Sequence, residues 1–177
     1  MSKPLVAGRG FIDPFQDREL LRYFTRLREW HGFLRFIGLS AIWDTPDLAI
    51  ERLFVAPRLS DQLIAPQANP ESLSGSHDCY AFLAKHPFLV VLGDPGSGKS
   101  TLVSWIVNRL TYEADDGLVS AIGRVIPFPF VLRELELDSI DGWDDLWNAF
   151  TKHGVAENLH KVDCNALLSS GQAIVLL

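Results

Sequence analysis

Gly93-Asp94-Pro95-Gly96-Ser97-Gly98-Lys99-Ser100 fits the pattern G-x-x-x-x-G-K-[ST]. By average composition, a chance match in a chain of 177 residues is on the order of one in two hundred. The residue types suit a dense anion. A polyphosphate needs several N–H donors converging on a small volume at the positive end of a helix. Gly96 and Gly98 let the backbone curl around it with no Cβ in the way. Gly93 permits the turn out of the preceding segment, Asp94 and Ser97 complete the loop, and Pro95, lacking an N–H, stiffens it. Lys99 would neutralise the β- and γ-phosphates and is the candidate catalytic residue. Ser100 would offer its hydroxyl to Mg²⁺, and Thr101 would reach the α-phosphate. The pattern implies a nucleoside triphosphate with magnesium, and fixes neither the base nor hydrolysis.

Such a loop must sit between a strand and a helix. Phe88-Leu89-Val90-Val91-Leu92 is a continuous apolar run, as expected of a strand buried on both faces. Lys99 to about Tyr112 reads as the helix, with Leu102, Val103, Ile106 and Leu110 facing inward. A helix is expected over Tyr80–Lys85 and a second strand over Val125–Leu132. Further helices are expected over Trp143–Phe150, capped near Asp141, and over Glu157–Leu168, with a third strand over Ala173–Leu177. Alternating strands and helices predict an α/β domain with a parallel sheet and flanking helices. Pro127 and Pro129 lie two apart, so their missing N–H groups face one side and predict an edge strand.

Residues 17–30 predict a helix with Leu20, Leu21, Phe24 and Leu27 on one face. Arg18, Arg22 and Arg26 form a basic stripe. It suits an acidic partner, although a solvated helix face has the same pattern. Phe33–Leu39 reads as a strand. Thr45-Pro46-Asp47 reads as a helix start, running to about Arg52, with Leu53–Val55 extended. Prolines 57, 66 and 70 with Gly75 and several serines mark a linker between Ala56 and Asp78. The expected division is a small, mostly helical appendage over 1–77 and the main domain over 78–177.

The net charge of −6 argues against a nucleic-acid coat or an anionic-lipid binder. Two cysteines without ligand spacing imply neither a disulfide scaffold nor a zinc site. The five histidines show no ligand spacing either. No signal peptide or membrane span is read, so a cytoplasmic location is expected. Trp143 and Trp147 are expected in the core. Arg133 and Glu134 suit a nucleotide or a neighbouring subunit, or simply a solvated strand end. No N-K-x-D occurs, which argues against a common GTPase. Leu168-Ser169-Ser170-Gly171-Gln172 resembles a transporter ATPase signature but abuts the next strand, and is read as a loop.

Three stretches resemble prokaryotic NACHT domains of the STAND class of P-loop NTPases. They are Phe88–Leu102, Ile126–Leu135 with its prolines, and Gln172–Leu177. Tyr23–Arg58 resembles the stretch that often precedes such domains. The resemblance implies an ASCE-type P-loop fold, ATP and ADP as ligands with Mg²⁺, and a nucleotide-controlled switch that self-associates, in prokaryotes often in antiviral defence. It also implies a sheet of order 5-1-4-3-2. The chain would then be incomplete at its C-terminus, stopping before the acidic Walker B residues and before strand 4. Weak nucleotide binding, with slow or no hydrolysis, is therefore expected of the chain alone. Two other readings are a P-loop kinase or phosphotransferase, and a non-catalytic nucleotide-binding scaffold. The kinase reading is weakened because only Arg124 and Arg133 are basic between Thr111 and Leu135.

Overall fold

In the computed structural model, Asp17 caps the first long helix, α1 (Arg18–His31), by accepting from the N–H groups of Glu19 and Leu20. The structure describes residues 13–34, 48–60, 76–113, 117–135, 140–152, 154–157, 159 and 162–177. Leu20, Tyr23, Phe24 and Leu27 are the buried face of α1. Leu21, expected among them, is exposed and Tyr23 takes its place. Of the basic stripe, Arg22 pairs with Glu19, while Arg26 donates to the Gly154 carbonyl at 2.7 Å.

Two short antiparallel ladders follow. β1 (Phe33–Leu34) pairs with β2 (Leu48–Ala49), and β3 (Arg58–Ser60) pairs with β4 (Ser76–Asp78). The stretch read as a linker therefore has paired ends. The helix start at Thr45-Pro46-Asp47 and most of the strand expected over Phe33–Leu39 lie outside the described residues. α2 (Ile50–Leu53) and α3 (Cys79–Lys85) are short. Leu53, expected to be extended, is the last residue of α2.

α4 (Lys99–Leu110) buries Leu102, Ile106, Val107 and Leu110, and packs against α1 and α5 (Gly117–Ile122). Val103, expected inward, is half-buried. β5 (Ile126–Pro129) and β6 (Ala173–Leu176) form the parallel pair, in register from Ile126 opposite Ala173 to Pro129 opposite Leu176. Ile126 donates to the Gln172 carbonyl and Phe130 to that of Leu176. Alternation along the strand then turns Pro127 and Pro129 to the other edge, where their lost donors cost nothing. Val131 to Glu134 leaves the strand through a 3₁₀ turn at Leu132–Glu134, so the strand is shorter than expected.

α6 (Trp143–Thr151) starts at Gly142, with the Asp145 carboxylate reaching back to the Asp141 N–H. α7 (Cys164–Ser169) is shorter than the helix expected over Glu157–Leu168, because Asp163 caps it by accepting from the Ala166 N–H. It ends with Gly171 left-handed at φ 71°, the Gln172 N–H on Leu167 and the Gly171 N–H on Leu168. That is a Schellman motif, and it explains Leu168–Gln172 as a helix end running into β6.

The main core is aromatic. Tyr23, Phe24, Phe128, Phe130 and Phe150 are buried in it, with Trp143 and Trp147 packed against them. Each such side chain contributes about 1.5–3 kcal/mol by leaving water. α1 thus shares one core with β5 and α6, although its residues precede the expected division at 77.

Phe88–Leu92 departs from its expected state. It forms no strand, and Phe88, Val90 and Leu92 are 93%, 83% and 74% exposed. A strand buried on both faces needs neighbours to pair with. Among the described residues the only parallel ladder is β5–β6, and it does not reach this run.

Candidate functional site

The loop 93–98 owes its shape to two glycines. Gly96 and Gly98 adopt φ 81° and 86°, left-handed values that other residues reach only with strain. A Cβ built on either would meet nothing within 4 Å, so the backbone conformation, not crowding, demands glycine there. Gly93 is different: a Cβ would come within 2.7 Å of the Ser97 Oγ. The Ser97 N–H donates to the Asp94 carbonyl at 3.1 Å and closes the turn.

Gly98 is the N-cap of α4 and has no side chain to cap it. The Leu102 N–H bonds back to the Gly98 carbonyl, leaving the first-turn amides of Lys99, Ser100 and Thr101 outside the helical ladder. Those amides lie at the positive end of a 12-residue helix. Lys99 folds over the loop. Its Nζ donates to the carbonyls of Gly93 (2.7 Å) and Asp94 (2.9 Å), with the Ser97 Oγ at 3.4 Å. Residues 92–100 are exposed, and Thr101 is half-buried.

The expected residues Gly93 to Thr101 therefore form one continuous loop and helix start. Their chemistry suits an anion: the unpaired first-turn amides of α4 and the Lys99 ammonium belong to one short stretch, and its sole acid is Asp94. For Mg²⁺ the loop offers the Ser100 hydroxyl. Among the described residues no cluster of three or more His, Cys, Asp or Glu could hold a metal. Magnesium would take Ser100 together with phosphate oxygens and water, its usual mode at nucleotides.

Sequence reading passed over the packing behind α4. The His31 Nδ1 lies 3.0 Å from the Ser104 Oγ, one helical turn beyond Ser100. Burial lowers the His31 pKa from its usual value. Phe54 stacks on Trp105 at 4.4 Å, and the Trp105 indole N–H donates to the Tyr80 hydroxyl. Those contacts tie α1, α2 and α3 to the helix that starts the loop. Only the spacing of Ser100, Ser104 and Asn108 hinted at a polar face there.

A separate cleft is lined by Trp30, His31, Phe130, Glu134 and Val155 among others, and none of its lining residues belongs to the loop. Glu134 is thus placed at that cleft, while the side chain of Arg133 lies outside the described residues. The cleft is mostly apolar, with His31 and Glu134 among its lining residues.

Among the described residues no helix is long and apolar enough to cross a membrane. Comparison with protein-family models, with curated proteins and with solved structures gives no match.

Proposed function

We propose that residues 93–101 bind the phosphates of ATP and ADP with Mg²⁺, and that the chain is the nucleotide-binding part of a STAND-class switch NTPase of the NACHT type. The observation that carries this reading is the pair of left-handed glycines leading directly into an uncapped helix start. A loop of that shape aims backbone N–H groups inward, and the pattern places a lysine and a serine at the same point.

In this reading the amides of Gly96, Gly98, Lys99 and Ser100 hold the β-phosphate. Lys99 gives up the Gly93 and Asp94 carbonyls for phosphate oxygens, and Ser100 orients the cation. The loop neutralises charge and positions the phosphates. It supplies no group to activate water, so hydrolysis asks for a carboxylate from elsewhere. Nucleotide-controlled self-association in antiviral defence belongs to the same proposal through the resemblance, and the cytoplasmic location expected from the sequence belongs to it as well. Nucleic acid is not a ligand in this reading, and the acidic balance supports that.

The test is a titration of the protein with a fluorescent ADP analogue in the presence of Mg²⁺. Saturable binding that ATP and ADP displace, and that Lys99→Ala weakens at least tenfold, is the expected result. Binding that is absent, or equal in the Lys99→Ala protein, would overturn the reading.

A further inference from the structure

The cleft at the end of α1 is lined by three aromatic rings, those of Trp30, Phe130 and Phe150. The Phe130 and Phe150 rings are buried, with centroids 4.5 Å apart. Trp30 stands at the surface, 58% exposed. Glu134 is the one formal charge among the described lining residues, and it is exposed. Its carboxylate makes no ion pair among the described residues. His31 adds no positive charge near neutral pH, because burial lowers its pKa, and its Nδ1 is engaged with Ser104.

Other partly exposed rings of this chain carry a cation of their own. Arg28 lies over Tyr112 and Arg109 over Trp105, each at 5.2 Å, and Arg124 lies over Phe15 at 4.9 Å. Trp30 has no such partner among the described residues, and an unpaired carboxylate borders the same cleft. A ring face draws a cation through its quadrupole, indole most strongly. An ammonium with bare N–H groups would leave donors unpaired against phenyl rings, whereas an alkylated one has none to lose. An anion such as a nucleotide phosphate meets the wrong charge here.

We propose that this cleft binds a small alkylated ammonium ion, its alkyl groups against Phe130 and Phe150 and its charge shared by the Trp30 indole and the Glu134 carboxylate. The site does not depend on whether the loop 93–98 binds nucleotide. Its test is run without nucleotide, so the two proposals fail separately.

Two-dimensional NMR of the backbone and indole N–H signals reads the site, with Trp30→Phe assigning the Trp30 indole. Tetramethylammonium chloride is titrated against sodium chloride at equal ionic strength. tert-Butanol serves as an uncharged ligand of similar shape. The expected result is a saturable shift of the Trp30 indole signal with tetramethylammonium and binding of tert-butanol about fivefold weaker. Glu134→Gln should lower the tetramethylammonium affinity by about as much. Glu134 is exposed, so this variant has no packing reason to unfold, and unchanged signals from the other indoles verify its fold. A spectrum with no saturable shift overturns the proposal. So does equal binding of the charged and uncharged ligands, which makes the cleft merely apolar, or an unchanged affinity in the Glu134→Gln protein.

Discussion

The Tyr23 hydroxyl donates to the Pro127 carbonyl at 2.8 Å, fully buried, across 104 residues of sequence. Pro127 has no N–H, and its carbonyl faces the edge of β5 turned away from β6. Without Tyr23 that acceptor would be buried and unpaired. Tyr23→Phe keeps the ring contacts with Phe24, Phe128 and Phe150 and removes only the donor. The expected cost is about 1–3 kcal/mol, the penalty for an orphaned buried acceptor, read as a lower denaturation midpoint with an unchanged slope.

Alkaline pH should weaken the fold through the same region. Burial pushes the Tyr23 pKa well above its usual value, and the neighbouring Cys164 adds to the shift. Burial, then Asp163, pushes the Cys164 thiol up to about 12. Both groups hold protons in the folded chain where the unfolded chain has released them, so the folded state binds more protons and stability falls as pH rises. The stabilisation is complete below the unfolded values and is lost from about pH 9 upward. Urea denaturation between about pH 8 and 11 should show this decline. Tyr23→Phe and Cys164→Ala should each flatten it.

Acid acts through His31. Burial lowers its folded pKa below the usual 6.5. The unfolded chain takes up the proton first, so stability is full above about pH 6.5 and declines as pH falls through the folded value. His31→Gln keeps a polar partner for Ser104 and removes the titration. The melting temperature of the variant should change less between about pH 7.5 and 5 than that of the natural chain.

Local pattern made much of this structure legible, and partner choice made the rest illegible. The three-and-four spacing of Leu20, Phe24 and Leu27 marked the α1 face, because helix period is a property of neighbouring residues. Tyr23 escaped notice because a tyrosine goes inside only when its hydroxyl finds an acceptor, and that acceptor lies far along the chain. Pro127 and Pro129 predicted an edge, and among the described residues β5 pairs with β6 alone, on the side away from the two missing N–H groups. Phe88–Leu92 misled for the converse reason. Its hydrophobicity states what its side chains require, and nothing in the five residues says whether a neighbouring strand is there to meet it. The turn through Gly96 and Gly98 was legible, because a left-handed backbone is written directly as glycine.

Two glycines of like backbone should behave differently when changed. Gly98 and Gly171 both have positive φ, 86° and 71°, and an added Cβ meets nothing within 4 Å at either. Alanine at each should therefore cost about 1–2 kcal/mol of backbone strain, without a packing term. Gly171 ends α7, where the strain reaches only the Schellman turn and the entry to β6. Gly171→Ala should lower stability and leave nucleotide affinity unchanged. Gly98 sets the direction of the first amides of α4. Gly98→Ala should lower stability by a similar amount and also weaken ADP binding at least tenfold, because relaxing the strain turns those amides away from the phosphate. Parallel denaturation and fluorescent-nucleotide titrations of the two variants check this. Equal affinity in both would place the phosphate contacts somewhere other than the start of α4.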